Sequence, residues 1–227
     1  MSNICYKFQY DDKIEDTVAI EIDPASYEIQ TPETYTPPHW AKLSYKQCRN
    51  CTLSNTTYCP IAKNIAYLCS KLSTKKSYEA VKLSVITKDR IYISDTTMQK
   101  ALGSLLGLIF SLSPCDKTSF LKPMGMFHLP VSNEMDTLTR TFSFYVLGKF
   151  FDYHDQKIDT IDLEDLSLSY KNLRIVNHDF ASRIRSVSET DAHINALVLL
   201  DLLAQNVDFE QDVEFEKLKS VFNKRIL

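Results

Sequence analysis

Three cysteines that lie close together restrict how this chain can fold more than any other feature of the sequence. Cys48 and Cys51 are separated by two residues, and Cys59 follows eight positions after Cys51, directly before Pro60. A Cys-x-x-Cys turn can direct two sulfurs at one point, and a short polar loop can bring a third sulfur back to it. Pro60 is predicted to begin a helix, so Cys59 would lie where the helix dipole stabilises a thiolate.

This spacing predicts a metal centre, and tetrahedral centres usually have four ligands. Cys115 is the predicted fourth ligand, because it lies in a break between two predicted helices. His128, in a short apolar segment bounded by prolines, is the alternative fourth ligand. Cys69 falls on the apolar stripe of a predicted helix and is interpreted as a core residue. Cys5 lies beside a predicted strand and has no partner in the sequence pattern.

Zinc with a structural role is the favoured metal for Cys48, Cys51, Cys59 and Cys115. An iron–sulfur cluster is the alternative, since four thiolates are its usual ligand set as well. Reactive thiols are a further possibility. A thioredoxin-like Cys-x-x-Cys, however, follows a strand and opens a helix, whereas this pair follows a proline-rich segment.

The length and the apolar pattern favour a cytoplasmic protein without a membrane segment. A chain of 227 residues can bury a sizeable core without covalent staples, so its six cysteines are not needed as disulfides. No run of 18 apolar residues occurs, and the N-terminus lacks a basic region followed by an apolar one. In a reducing compartment, cysteines are expected as thiols or metal ligands.

The fold class predicted from periodicity is α+β and mostly α, with an N-terminal antiparallel β-meander and a second hairpin packed on a helical body. Alternating apolar residues predict strands around Tyr6–Tyr10, Val18–Ile22 and Tyr27–Ile29. Alternation returns at 81–85 and 91–93, on either side of a polar turn.

Helical periodicity follows Pro60 and dominates the chain after residue 95. One helix is predicted to be capped by Asp95 or Thr96 and to stop at Pro114. Another is predicted to be capped by Asn133 and to run to Phe150. Its apolar stripe would contain Leu138, Phe142, Tyr145, Val146 and Phe150. Further helices are predicted over 163–186, 191–205 and 212–224.

A single domain is predicted over residues 1–227. It would divide into the β-meander (1–36), a cysteine segment with helix and hairpin (37–95) and the helical body (96–227). Prolines 32, 37 and 38 form a stiff connection to the cysteine segment. The net charge is −3, yet residues 41–90 contain ten Lys or Arg and two Asp or Glu. This basic segment predicts an anionic partner; a solvated lysine-rich face is the simpler interpretation.

The pattern Trp40-x2-Leu43-x4-Cys48-x2-Cys51-x-Leu53, followed by Cys59-Pro60, resembles an uncharacterised bacterial domain family. Similar stretches are Gly103-x-Leu105-Leu106-Gly107-Leu108, Pro123-Met124, Phe127-His128-Leu129-Pro130 and Asn195-Ala196. The resemblance implies one family unit across nearly the whole chain and a cytoplasmic bacterial setting. It implies no reaction. Its candidate site would contain the four cysteines above and His128.

Three functions are compatible with these patterns. The favoured hypothesis is a binding or regulatory module with a structural metal. The second is an enzyme or redox protein with a reactive thiol or iron–sulfur centre, and the third is a helical scaffold for protein–protein interaction. Glycine-rich phosphate loops and common catalytic motifs are absent from the sequence, so the pattern does not decide whether the chain is an enzyme.

Overall fold

A computed structural model describes residues 2–10, 13–70, 72, 77–160, 162–187 and 213–223. The strands are β1 (Ser2–Tyr10), β2 (Lys13–Ile22), β3 (Ile29–Gln30), β4 (Ala80–Ile86) and β5 (Ile91–Thr97). They form one antiparallel sheet in the order β3-β2-β1-β4-β5. The second hairpin therefore extends the N-terminal meander, because β4 pairs directly with β1.

The predicted alternation places one face of the sheet in the core. Tyr6 of β1 lies opposite Val18 of β2 and Val85 of β4, and all three are fully buried. At the edge, Ile91 and Ile93 of β5 point to the other face and are each 64% exposed. The period of two thus predicts which residues share a face, while the position of the strand in the sheet decides how deeply they are buried.

Helices cover the buried face of the sheet. Their bounds are α1 (Pro60–Cys69), α2 (Met98–Ser111), α3 (Lys122–Met126), α4 (Glu134–His154), α5 (Glu164–Arg185) and α6 (Val213–Asn223). Short 3₁₀ turns lie at His39–Ala41 and Ser119–Leu121. Helix α1 contacts β2, and α2 contacts both β4 and β5. The predicted α+β class, mostly α, is confirmed.

Helix α2 begins later than the sequence predicts. Asp95 and Thr96 pair with Lys82 and Val81 in the sheet, so neither residue is available as a cap. Thr97 occupies the N-cap position and the helix begins at Met98. A strand that runs directly into a helix leaves no turn residue to mark the boundary, which explains the error.

Helix α4 confirms its predicted cap but not its whole apolar stripe. Asn133 and Asp136 form a reciprocal capping box. Leu138 is buried, whereas Val146 and Phe150 are 41% and 49% exposed. Periodicity identifies one face of a helix but not how far along that face the neighbouring elements extend.

Other predictions are only partly covered by the described ranges. The predicted helix over 191–205 lies outside them. The single-domain prediction stays a prediction, although the β1–β4 pairing joins its first two segments in one sheet. No helix in the ranges given above is both long and apolar enough to span a membrane.

Candidate metal centre

The loop that carries Cys48 and Cys51 is closed at its base by backbone hydrogen bonds. The Cys59 N–H donates to the Ala41 carbonyl at 2.9 Å, and the Leu43 N–H donates to the Thr57 carbonyl at 3.0 Å. Inside this loop the Cys51 N–H donates to the Cys48 carbonyl at 3.0 Å, which forms the predicted Cys-x-x-Cys turn. The base of the loop therefore holds Cys59 in register with residues 41–43.

Cys59 occupies the N-cap position of α1, as the sequence predicts, and is 8% exposed. Burial raises the pKa of its thiol, while the N–H groups of Ala62 and Ile61 and the guanidinium of Arg183 lower it. The Cys59 sulfur accepts no capping hydrogen bond of normal geometry from these N–H groups. The helix start therefore favours a thiolate, but without an added positive charge burial keeps the neutral thiol dominant.

Cys115 lies in the loop between α2 and the Ser119–Leu121 turn. Its carbonyl accepts a hydrogen bond from the Thr118 N–H at 3.0 Å. Burial raises the pKa of its thiol, and the Lys117 N–H and the Thr118 hydroxyl lower it. A second contact joins this loop to the cysteine loop, because the Thr52 hydroxyl donates to Asp116 Oδ2 at 2.6 Å.

The thiols of these residues form one electrostatic group, here named the four-cysteine cluster (Cys48, Cys51, Cys59 and Cys115). Cys48 interacts with Cys59 and Cys115, and Cys51 interacts with the same two residues. Burial, followed by the charge of Cys59, raises the pKa of Cys48 to about 12. All four are free cysteines. Near neutral pH Cys48, Cys59 and Cys115 are therefore neutral thiols in this arrangement.

The side chains in this structure do not form a ready coordination sphere. Within the parts of the chain that the structure describes, no group of three or more His, Cys, Asp or Glu side chains has a metal-binding arrangement. The thiols influence one another electrostatically without converging on one point. Any metal would therefore require the sulfurs to lose protons and to turn towards a common centre.

Arg183 of α5 is the most unusual residue beside the cluster. It is 1% exposed and donates to the carbonyls of residues 40, 42, 43 and 46 at 3.1–3.4 Å. Its Nε has no hydrogen-bond partner. No carboxylate among the described residues lies within ion-pair distance of it. Its charge lowers the pKa of Cys48 and Cys59, so negative sulfur would compensate a buried cation.

Further contacts fix the cysteine loop on α5. The Arg49 N–H and Nε donate to the Asp179 carboxylate at 2.8 and 3.1 Å. Burial raises the pKa of Asp179, but the hydrogen bonds from Arg49 outweigh it and lower the pKa overall. The Asn50 side chain donates to the Asn172 carbonyl at 3.0 Å. Residues 49 and 50, between the two cysteines of the turn, therefore hold it against the helix.

His128 lies in a different environment from the cysteines. Its Nε2 is hydrogen-bonded to the Tyr6 hydroxyl, which also contacts Ser104 Oγ at 3.1 Å. Its ring lines a cavity formed by α2, α4 and α5. Burial, followed by the charge of Arg140, lowers the pKa of His128 to about 3. None of the electrostatic partners of Cys48, Cys59 or Cys115 is His128.

The remaining cysteines lie apart from the cluster. Cys69 is partly buried against the core at the end of α1, and burial raises the pKa of its thiol to about 12. Cys5 lies opposite Ala19 and Ile86 in the sheet. Neither thiol is among the electrostatic partners of the clustered cysteines.

Sequence reasoning did not identify Arg183 or Asp179 as parts of this site. One signal was present, because Arg183 follows Val176 by seven residues and Phe180 by three, and so falls on the apolar stripe of α5. A charged residue on such a stripe requires a buried polar partner. The carbonyls that serve this purpose come from a loop about 140 residues away in the sequence.

The basic segment 41–90 is divided between separate parts of the structure. Lys42 and Arg49 lie on the cysteine loop, Lys63 lies on α1, and Lys88 and Arg90 lie at the β4–β5 turn. Arg49 is already paired with Asp179. The positive charges of this segment therefore lie on separate elements among the described residues.

Together these observations define an α+β protein with a partly buried four-cysteine cluster between a loop, two helix ends and α5. The chain belongs to the family described as Domain of unknown function (DUF6901), whose model matches residues 4–223. The resemblance to an uncharacterised domain family is thereby confirmed. No curated protein and no solved structure matches the chain.

Proposed function

We propose that Cys48, Cys51, Cys59 and Cys115 hold one zinc ion as four thiolates, and that this ion has a structural role. The metal would join the cysteine loop, the start of α1 and the loop after α2, and the cysteine loop is itself held on α5 by Arg49 and Asn50. Four protein ligands close the coordination sphere of zinc, which is typical of structural rather than catalytic sites. With the metal enclosed in this way, the protein would offer a rigid surface for binding, and the metal would have no open position for a substrate.

One observation carries this proposal: the clustered thiols lie beside Arg183, a buried cation without an ion-pair partner among the described residues. Four thiolates and one zinc ion have a net charge of −2, so a nearby guanidinium stabilises the bound state. The partial positive charge at the start of α1 acts in the same direction on Cys59. On metal binding, the neutral and poorly solvated thiols would become thiolates whose negative charge is balanced by the zinc ion and by Arg183.

An iron–sulfur cluster remains the second candidate for the same ligands. The absorption spectrum separates the two, since zinc thiolates are colourless and iron–sulfur clusters absorb visible light. The Cys51–Cys59 loop and the Cys115 loop are linked through Thr52 and Asp116 at 2.6 Å. This contact brings the two loops together for either group.

Two further elements belong to this proposal: first a reducing compartment, and second an anionic partner. Zinc thiolates require reduced cysteines, so we place the protein in the cytoplasm. The exposed Lys42 beside the cysteine loop would contribute to binding an anionic partner, which is expected to weaken as salt is raised. Binding to nucleic acid that does not change with salt would contradict this second element.

Zinc content in cysteine variants tests the proposal. Single Cys→Ser substitutions at positions 48, 51, 59 and 115 should each reduce bound zinc well below one ion per chain. Cys5→Ser and Cys69→Ser are matched controls, because both residues are cysteines outside the cluster, and they should retain zinc. Circular dichroism would check that each variant is folded. Equal zinc content in all six variants, or none in the unaltered protein, would refute a zinc centre at this cluster.

A further inference from the structure

A second site, independent of the cysteines, lies in a cavity of about 730 Å³ beneath α4. This volume is within the usual range of small-molecule sites. The α2 wall includes small residues one helical turn apart, Gly103, Gly107 and Ser111. Their lack of bulky side chains leaves the space that the other helices do not fill.

The remaining walls combine an apolar surface with a few polar groups. Leu121, Met124, Leu129, Met135 and Leu173 supply apolar surface. The hydroxyl of Ser104 is held between the Tyr6 hydroxyl at 3.1 Å and the Val131 N–H at 3.2 Å. Val131 has a φ of 54°, an unfavourable conformation for a β-branched residue. The surrounding contacts, among them the hydrogen bond from the Val131 N–H to Ser104 Oγ, maintain this strained conformation and thereby fix the loop that lines the cavity.

Arg140 gives the cavity its charge. Its Nη2 donates to the carbonyls of Met124 and Phe127, both at 2.7 Å, which fixes the direction of the guanidinium. Its other N–H groups make no hydrogen bond to any described residue, and burial lowers its pKa despite the opposing charge of Asp136. No carboxylate in the described ranges forms an ion pair with it. The guanidinium therefore has donors available for an anionic ligand.

Two further charged residues line the same cavity. Lys100 of α2 is exposed and adds a second positive charge. Glu134 is the acidic residue among the described lining residues; it is exposed in the first turn of α4 and already has an interaction of its own. The charge balance thus favours a ligand with one negative charge over a cation.

We propose that this cavity binds a small carboxylate with an apolar body. The carboxylate would accept hydrogen bonds from Arg140 in the planar geometry that guanidinium groups favour, with Lys100 contributing at longer range. The apolar body would lie along the small-residue face of α2 and against the leucine and methionine side chains. One fixed guanidinium in a mostly apolar wall suits a monoanion better than a phosphate dianion.

Calorimetric titration with decanoate tests this proposal, with decan-1-ol as the probe that has the same chain but no charge. Decanoate should bind at least tenfold more tightly than decan-1-ol, as expected for a charged hydrogen bond. Arg140→Met should remove this preference, and Lys100→Met should weaken decanoate binding roughly threefold. Arg174→Met is the control, because Arg174 is exposed on α5 outside the cavity. It should leave both affinities unchanged.

Amide chemical shifts in the unaltered protein give a second measurement that does not depend on a variant folding. Decanoate should shift the amides of Ser104, Val131 and Met135, which line the cavity. Shifts concentrated elsewhere would overturn the proposal. Equal affinity for the two probes, or no binding of either, would overturn it as well.

Discussion

Arg183 shows how a single side chain can organise a distant loop. Its guanidinium satisfies carbonyls of residues 40, 42, 43 and 46, and it lies beside the thiols of Cys48 and Cys59. A residue in this position affects both the stability of the fold and the pKa values of the thiols in the cluster. The loop cannot hold the same conformation without a donor for these carbonyls.

We expect Arg183→Met to destabilise the protein by about 3–5 kcal/mol, because one buried and three partly buried hydrogen bonds to carbonyls are lost. Chemical denaturation would measure this change, and zinc content should fall in the same variant. Arg185→Met is the matched control, since Arg185 is exposed two residues later on the same helix. A similar small effect of both substitutions would show that the buried arginine does not support the loop.

Two glycines should respond to alanine in opposite directions. A Cβ at Gly125 would clash with Ser111 Oγ and would lie 2.6 Å from Leu112 Cδ2, so these side chains or α3 itself would have to shift. We expect Gly125→Ala to lower the free energy of unfolding by about 1–3 kcal/mol. At Gly148 nothing lies within 4 Å of the added atom. Gly148→Ala should stabilise α4 by about 0.5–1 kcal/mol, and thermal denaturation of both variants would test the contrast.

The partly buried ring of His128 should make stability depend on pH. Its pKa in the folded protein is lowered to about 3, from an ordinary value near 6.5, by burial and by Arg140. The unfolded chain therefore binds more protons between these values, and stability should fall as the pH decreases from about 6.5 to about 3. The slope should reach up to about 1.4 kcal/mol per pH unit.

Denaturation at several pH values would measure this slope. His128→Gln should reduce it, whereas His154→Gln, at an exposed histidine, should leave it unchanged. An unaltered slope in His128→Gln would mean that other groups cause the acid sensitivity.

At the scale of elements, the sequence predicted strands β1, β2 and β4 well because alternation there reflects which side chains face the core, whereas in β5 the alternating Ile91 and Ile93 face away from it. Tyr6 and Val18 are examples, since each belongs to a period-two pattern and both are buried. The start of α2 and the far end of α4 were not predicted correctly. Both depend on neighbouring elements, since Asp95 pairs in the sheet and Phe150 is exposed although it lies on the same predicted stripe as the buried Leu138.

The cavity could not be predicted from the sequence for a related reason. Gly103 and Gly107 are visible as small residues in a helix, but small residues equally allow two helices to pack closely. Only the packing of α4 and α5 shows that the space beside α2 stays open. The segment around His128 also lines this cavity, which its apolar, proline-bounded sequence does not show by itself.

At the scale of the whole molecule, the four-cysteine cluster links segments that are far apart in sequence. Cys48 and Cys115 are separated by a helix, a hairpin and α2. The Cys-x-x-Cys turn and the position of Cys59 before α1 were predictable from spacing and from Pro60. Arg183 was not, because periodicity does not show which loop a buried charge will meet.

Removal of metal should therefore lower the stability of the entire fold. Free zinc at a thousandfold its Kd stabilises a protein by about 4 kcal/mol. For a chain of this size, that corresponds to a decrease in Tm of about 8–16 °C when a chelator is added. The variant with serine at all four cluster positions is the control and should show no response to the chelator. A Tm that is insensitive to chelation in the unaltered protein would exclude a stabilising metal.

The most direct test of the central claim is zinc K-edge X-ray absorption on the unaltered, zinc-loaded protein. Coordination by Cys48, Cys51, Cys59 and Cys115 predicts four sulfur neighbours at about 2.3 Å and no nitrogen neighbour. Three sulfurs with one nitrogen at about 2.0 Å would contradict the four-cysteine centre and return His128 to consideration as a ligand. A shell of oxygen alone would contradict a metal site at these cysteines altogether.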